Sequence, residues 1–269
     1  VQVRSYRPGR RAVLELAGGG SRLFCKVVRP SAVDALRARH DLLAPAVPVP
    51  PVLAAAGVGL LVLPEATGIP VRALLAGADP DLPGGPALDA LLDRLPAALA
   101  DLPAPRRGSD DRRCGRHLSR ARHFADVLAR TACTRATDRL DRLVARLDDA
   151  ERGEHPRVPV HGDFYEAQLL ADAGAVTGLL DVDTAGGGHR IDDWATLLAH
   201  LSVLPGRARR WGGELLAHAE HRFPRAQLRP RIAAAVLGLA TGPFRVQQPG
   251  WAAHTERRLA LAEHWLAGA

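Results

Sequence analysis

Apolar and polar residues alternate from Arg11 to Leu16, and apolar residues dominate again from Arg22 to Val28 (RLFCKVV). Between them Ala17–Ser21 (AGGGS) reads as a turn, so the pattern predicts an antiparallel hairpin. Tyr6–Gly9 (YRPG) reads as a further turn just before it. Ser31 is a good N-cap for a helix running to about Ala44, which the prolines of Pro45–Pro51 end. Val52–Leu63 reads as two short buried strands around Gly57, and Pro64–Pro70 (PEATGIP) as a connector. Beyond that point the spacing becomes helical. Helices are expected over Val71–Ala76, Leu88–Ala100, Arg116–Thr131, Thr137–Glu151, Asp193–Leu204, Glu214–Phe223, Pro230–Leu239 and Trp251–Leu266. Strand-like pieces interrupt them around Val158–His161 and Val176–Asp181, and Gly84–Pro86 and Asp101–Asp111 read as loops. The expected class is therefore α+β. A small β-rich lobe with one helix spans residues 1–66, and a larger, mostly helical lobe spans residues 67–269.

Composition narrows this picture. A chain of 269 residues can bury a sizeable core, as one large domain or as two lobes sharing a cleft. Val1–Arg11 has no apolar stretch of signal-peptide type, and the longest apolar run, Val52–Leu63, is too short to span a bilayer. Three cysteines (Cys25, Cys114 and Cys133) without paired spacing argue against a disulfide framework or a structural zinc site, and a cytoplasmic location is expected. The net charge of +7 and pI of about 10.4 raise the question of nucleic acid. The charge is not blocky, however: Arg and Asp alternate along Thr137–Glu151, and the basic stretch Arg106–Arg122 reads as a solvated loop and helix surface. Aromatic residues are too sparse for a stacking surface, so neither a nucleic-acid nor a membrane partner is expected. Nearly every cation is arginine. The one lysine, Lys26, survives a composition that also lacks Asn and Met, which suggests that a compact ammonium is required there.

The chemistry concentrates in His161-Gly162-Asp163-Phe164-Tyr165-Glu166-Ala167-Gln168. A kinase catalytic loop needs an aspartate to take the proton of the acceptor hydroxyl and a metal-binding carboxamide five residues on, the spacing of Asp163 and Gln168. Gly178–Asp183 (GLLDVD) then reads as an apolar strand ending in a carboxylate, where a kinase holds Mg²⁺ on the phosphates. Lys26, near the end of the second hairpin strand, is where a kinase pairs a lysine with the α- and β-phosphates. Singly, each piece has a plainer reading: a loop with a capping aspartate, exposed turn residues at Asp181 and Asp183, a surface lysine. What points to phosphoryl transfer is their joint order.

These segments resemble the aminoglycoside phosphotransferase and choline kinase superfamily: YRPGRRAVLEL with LFCKVVRP, VPVPPVLAA, and VPVHGDFYEAQLL followed by GLLDVDTAGGGHRIDDWATLLAHL. The resemblance covers most of residues 4–204 and implies a bilobal protein-kinase-like fold. It also implies an ATP- or GTP-dependent, Mg²⁺-dependent phosphotransferase acting on a small hydroxylated molecule. Carried onto this chain, Asp163 is the catalytic base, Lys26 the nucleotide-phosphate lysine, and Gln168 and Asp181 the metal ligands. Pro64, Glu65 and Ala66 form the hinge that meets the adenine edge. Asp193 resembles the aspartate that braces the catalytic loop, and reads equally as a charge at a helix N-terminus. The chain departs from the family in having Gln168 for the usual asparagine. Nor does the helix after Lys26 offer a clear glutamate to pair with it, Asp34 and Asp41 being the candidates. A weakly active or inactive kinase-fold protein that binds a nucleotide or a partner is the alternative. The arginines at 207, 209, 210, 222, 225, 229 and 231, against Glu214 and Glu220, favour a neutral or anionic acceptor over a polycationic aminoglycoside.

Overall fold

The computed structural model describes residues 1–9, 11–77, 81–102, 117–131, 137–150 and 153–269. Cys114, Cys133 and most of the basic stretch from Arg106 lie outside them. The strands are β1 (Gln2–Arg7), β2 (Arg11–Gly18), β3 (Ser21–Val28), β4 (Ala54–Ala56), β5 (Leu60–Pro64), β6 (Ile69–Pro70), β7 (Val158–Val160), β8 (Leu169–Asp172), β9 (Ala175–Leu179) and β10 (Gly186–Gly188). The α-helices are α1 (Val33–Leu43), α2 (Val71–Leu74), α3 (Gly85–Asp93), α4 (Ala121–Arg130), α5 (Thr137–Asp148), α6 (Arg190–Ser202), α7 (Arg207–Arg222), α8 (Arg225–Ala240), α9 (Gly242–Arg245) and α10 (Trp251–Ala267). Among the described residues, none of these helices is long and apolar enough to cross a membrane.

Contacts divide the chain into two compact units, Val1–Pro105 with Pro159–Gly187, and Arg106–Val158 with Gly188–Ala269. The first is built on a five-stranded antiparallel sheet of order β1-β2-β3-β5-β4. The expected hairpin is β2 and β3, closed at Gly18 opposite Ser21. Gly19 and Gly20 between them stand at φ +58° and +77°, left-handed values whose twist suits a two-residue hairpin and which glycine adopts without steric cost. The sheet carries one strand more than the pattern predicts. β1 pairs with β2, Arg7 standing opposite Arg11, and includes the first half of the expected Tyr6–Gly9 turn. With Val3 and Tyr6 exposed, β1 has no apolar face to reveal it.

Helix α1 starts one residue later than the Ser31 cap suggests. Ser31 lies inside a 3₁₀ turn, Pro30–Ala32, and makes no capping bond. Val33 and Leu36 of α1 bury against Leu61 of β5, with Val28, Ala32, Val52 and Ala55 around them. Each such side chain contributes ~1.5–3 kcal/mol on burial. That packing fixes the inner face of α1 over the sheet that carries Lys26. In the same unit β6, β8 and β9 form a three-stranded sheet. The single helix expected over Leu88–Ala100 is split: α3 ends at Asp93, and Pro96, at ψ 137°, precedes a 3₁₀ turn over Ala97–Asp101.

The second unit is helical. Trp194 and Leu197 of α6 and Ile232 and Val236 of α8 are fully buried. α4 and α8 approach closely because position 238 is glycine: a Cβ there would stand 2.8 Å from the Phe124 ring. α7 and α8 begin at Arg207 and Arg225, well before the expected Glu214 and Pro230, because their arginine-rich first turns carry little apolar periodicity.

Candidate active site

Every residue assigned to the reaction from the sequence lies in the first unit. β7 delivers His161, which is fully buried. Its Nε2–H donates to the Leu180 carbonyl at 2.9 Å, which leaves Nδ1 to accept the Asp163 amide at 3.3 Å. The His161 carbonyl in turn accepts the Thr184 hydroxyl at 3.2 Å. Through its ring and its carbonyl together, His161 thus ties the Asp163 loop to residues on either side of Asp181 and Asp183. Gly162 makes the approach possible, since φ +78° between His161 and Asp163 is a conformation glycine adopts readily. Phe164 is fully buried, edge-on to the His161 ring, while Asp163 itself is half-buried.

After the loop, a 3₁₀ turn over Glu166–Gln168 leads into β8. The Gln168 carbonyl accepts the Leu180 amide at 2.8 Å, so its backbone stands beside that of the residue preceding Asp181. Glu166 is fully buried with Arg72 Nε at 3.5 Å, and burial raises its carboxyl above the ordinary range. Burial, aided by the negative charges of Asp163, Asp181 and Glu166, pushes the Tyr165 phenol up to about 12. The three carboxylates therefore share one electrostatic neighbourhood.

Opposite them stand two cations. Lys26, buried on β3, donates to Asp181 Oδ1 at 3.1 Å and also to Asp183 Oδ1. Arg11, the first residue of β2, reaches Asp181 Oδ1 at 2.6 Å and Asp183 Oδ2 at 3.2 Å through one Nη1. Asp181 adopts the left-handed region, φ 54° and ψ 51°, which aspartate tolerates better than most residues. Burial alone would raise the Asp181 carboxyl. The charge of Lys26 and the hydrogen bond from Arg11 overturn that and hold it well below the usual carboxylate range. Burial correspondingly opposes the charge of Arg11, and the two aspartates more than offset it, so the guanidinium is held on more firmly than usual.

Neither helix acid reaches Lys26. Asp34 is exposed, and exposed Asp41 pairs with Arg37 at 3.5 Å. α1 turns Arg39 and His40 inward instead. Arg39 Nε donates to the Ala185 carbonyl at 2.9 Å, joining α1 to the segment that follows Asp183. His40 Nδ1–H donates to the Pro50 carbonyl at 2.8 Å, and burial, with the Lys26 charge adding to it, pushes the imidazole below its ordinary value. At the end of β5, Pro64 pairs with Leu23 and the Glu65 amide donates to the Arg22 carbonyl at 3.2 Å. Ala66 follows, half-buried. Asp193 is buried in the first turn of α6, in the second unit.

Two carboxylates clustered on the same cations, with the Gln168 backbone alongside, are hard oxygen donors of the kind Mg²⁺ takes. Among the described residues no group of three or more His, Cys, Asp or Glu is placed to hold a metal ion. Sequence reasoning missed Arg11, which meets Asp181 only in the folded sheet. It is the arginine at which the strand resumes after the Pro8-Gly9 turn, beside the strand carrying the single lysine.

A model of the phosphotransferase enzyme family matches residues 8–235. The chain belongs to that family. No curated protein matches the chain in sequence. Among solved structures, it is similar to a thermostable mutant of aminoglycoside phosphotransferase APH(4)-Ia in its apo form. The identity is 18% with a TM-score of 0.66, covering 100% of this chain and 95% of the other. It is likewise similar to the GDP and kanamycin complex of APH(2″)-IIia, at 12% identity and TM-score 0.62, over 98% and 94% of the two chains. A third is aminoglycoside phosphotransferase APH(3″)-Id from Streptomyces rimosus with ADP and streptomycin, at 22% identity and TM-score 0.54, over 84% and 90%. At these identities the likeness is one of fold. The chain has their kinase-like arrangement, an N-terminal antiparallel sheet followed by a mostly helical part.

Proposed function

We propose that this member of the family transfers the γ-phosphoryl group of ATP, or of GTP, to a hydroxyl of a small molecule. The observation that carries the reading is the tie through His161, which couples the Asp163 loop to the segment bearing Asp181 and Asp183, where Lys26 also ends. In this account Asp163 orients the acceptor hydroxyl and takes its proton. Lys26 binds the α- and β-phosphates, and Gln168 and Asp181 hold Mg²⁺, which neutralises charge on the transferring phosphoryl group when bound. The Glu65 amide is bound to the Arg22 carbonyl, which leaves the Glu65 carbonyl and the Ala66 amide, just after Pro64, as the hinge groups that meet the base. Residues 1–66 hold the nucleotide, and residues 67–269 supply the catalytic loop and acceptor site. The surplus of arginine from residue 207 onward favours a neutral or anionic acceptor.

Lys26→Ala tests the nucleotide assignment. Mg-ATP affinity by calorimetry should fall at least tenfold while the melting curve stays cooperative. Unchanged affinity and unchanged turnover would make Lys26 an ordinary strand residue. Gln168→Asn, which restores the shorter carboxamide of the family pattern, should keep or raise turnover. A loss of more than tenfold would remove Gln168 from the metal site.

One observation favours a second reading. Lys26 is paired with Asp181 and Asp183, and α1 faces the site with Arg39 and His40 rather than an acid. A kinase-fold protein that binds nucleotide without turnover fits that pairing. ATP binding with no product across a broad acceptor panel would decide for it.

A further inference from the structure

Lys26 alone already meets both Asp181 and Asp183, and Arg11 adds a second positive charge on the same two carboxylates. The count is balanced, two cations against two anions. A divalent ion drawn to the same oxygens would leave the cluster with two positive charges in excess. One of the two side chains must then give up Asp181 Oδ1, which both contact.

Arg11 is the one placed to yield. Lys26 sits within β3, between Val13 and Leu61, with its side chain 7% exposed. Arg11 begins β2 right after the β1–β2 turn, and its side chain is 19% exposed. Its guanidinium is also incompletely used. Nε is buried and has no hydrogen-bond partner among the described residues, while Nη1 carries both carboxylate contacts. A buried donor without an acceptor is costly, and a phosphate oxygen is the acceptor that a guanidinium fork fits best. In kinases the turn between the first two strands covers the nucleotide phosphates. Here β1 and β2 are joined by only three residues, with Arg7 and Arg11 facing each other across the base of that connection.

We propose that Arg11 competes with the divalent cation for Asp181 and Asp183 and, once displaced, binds nucleotide phosphate as a second cation beside Lys26. Binding of the metal and of the nucleotide are thereby coupled: the metal releases the arginine, and the phosphates receive it. This rests on the reading of Asp181 as a metal ligand and of the chain as a nucleotide-dependent phosphotransferase.

The test separates the two halves of the exchange. Mn²⁺ is titrated by electron paramagnetic resonance without nucleotide, and ATP is titrated by calorimetry in excess EDTA. Arg11→Ala should bind Mn²⁺ roughly tenfold more tightly, because a competitor is gone, and metal-free ATP roughly tenfold or more weakly, because a phosphate ligand is gone. Arg11→Lys, which keeps the charge, should lie between Arg11→Ala and wild type in both. A merely structural arginine would lower the melting temperature and move neither affinity, or weaken both together, and either result overturns the proposal. If the Ala variant does not fold, the wild type is followed by ¹⁵N NMR at the Arg11 Nε–H, assigned by its loss in Arg11→Lys. That resonance should move on adding Mg²⁺ alone and again on adding ATP, and a signal that responds to neither overturns the proposal. A wild type that binds neither Mn²⁺ nor ATP contradicts the phosphotransferase reading itself. A wild type that binds both, with Arg11 variants indistinguishable from it, contradicts only the role of Arg11.

Discussion

Asp181→Asn should abolish the Mg²⁺ dependence of nucleotide binding. In wild type, Mg²⁺ should tighten ATP binding, and in the variant the affinities with Mg²⁺ and with EDTA should coincide, with transfer falling to background. Asp181 is the carboxylate on which the site converges. Its Oδ1 meets both Arg11, at 2.6 Å, and Lys26, at 3.1 Å, and it stands next to Leu180, whose amide and carbonyl bind Gln168 and His161. An asparagine keeps Oδ1 as an acceptor, so both cations retain a partner. The cost to stability should be on the order of 1 kcal/mol, since an ionic hydrogen bond becomes a neutral one. What disappears is the negative charge that a hard divalent ion requires. Calorimetry with and without Mg²⁺, beside a melting curve, reads the two effects apart. A variant that still binds ATP more tightly with Mg²⁺ than without would show that the metal is held elsewhere, with Asp183 the next candidate.

Which parts of the site were legible in the sequence follows from where each residue sits. The catalytic loop is contiguous, so HGDFYEAQ could be read with its five-residue spacing intact. Lys26 stood out because no other lysine exists in the chain. The β2–β3 hairpin was legible because its turn needs left-handed residues and only glycines stand there. β1 was not, because an exposed edge strand is held by its backbone ladder and shows no buried alternation. Arg11 was invisible as a functional residue because 170 positions separate it from Asp181, and only the folded sheet brings them together. The same holds for Arg39. On the sequence it is one of several basic positions on α1, yet its neighbours at 37 and 41 point outward while Arg39 turns in to the Ala185 carbonyl. His161 was read only as part of a tripeptide. Its role in joining the loop to Leu180 and Thr184 depends on which ring nitrogen meets which backbone group, and spacing does not encode that.

Asp163→Asn should lower turnover by about 10² to 10⁴-fold, the usual contribution of a positioned general base. The substitution keeps the shape of the side chain and removes its ability to take a proton. The loop should hold, because its anchors are the Asp163 amide on His161, the buried Phe164 ring and the His161 bond to Leu180, none of which uses the Asp163 carboxylate. Nucleotide affinity should change little, since Lys26, Asp181 and the hinge at Pro64–Ala66 are untouched. The effect should therefore fall on kcat, with the nucleotide KM nearly constant. The deciding measurement is steady-state transfer from radiolabelled ATP to a panel of sugars, sugar phosphates and aminoglycosides, wild type against Asp163→Asn. Nucleotide affinity and melting temperature are measured on the same samples. The account predicts labelled product from the wild type and a loss of at least a hundredfold in the variant, at equal affinity and equal fold. Wild-type turnover in the variant, or a wild type that binds ATP and labels no acceptor, would contradict it.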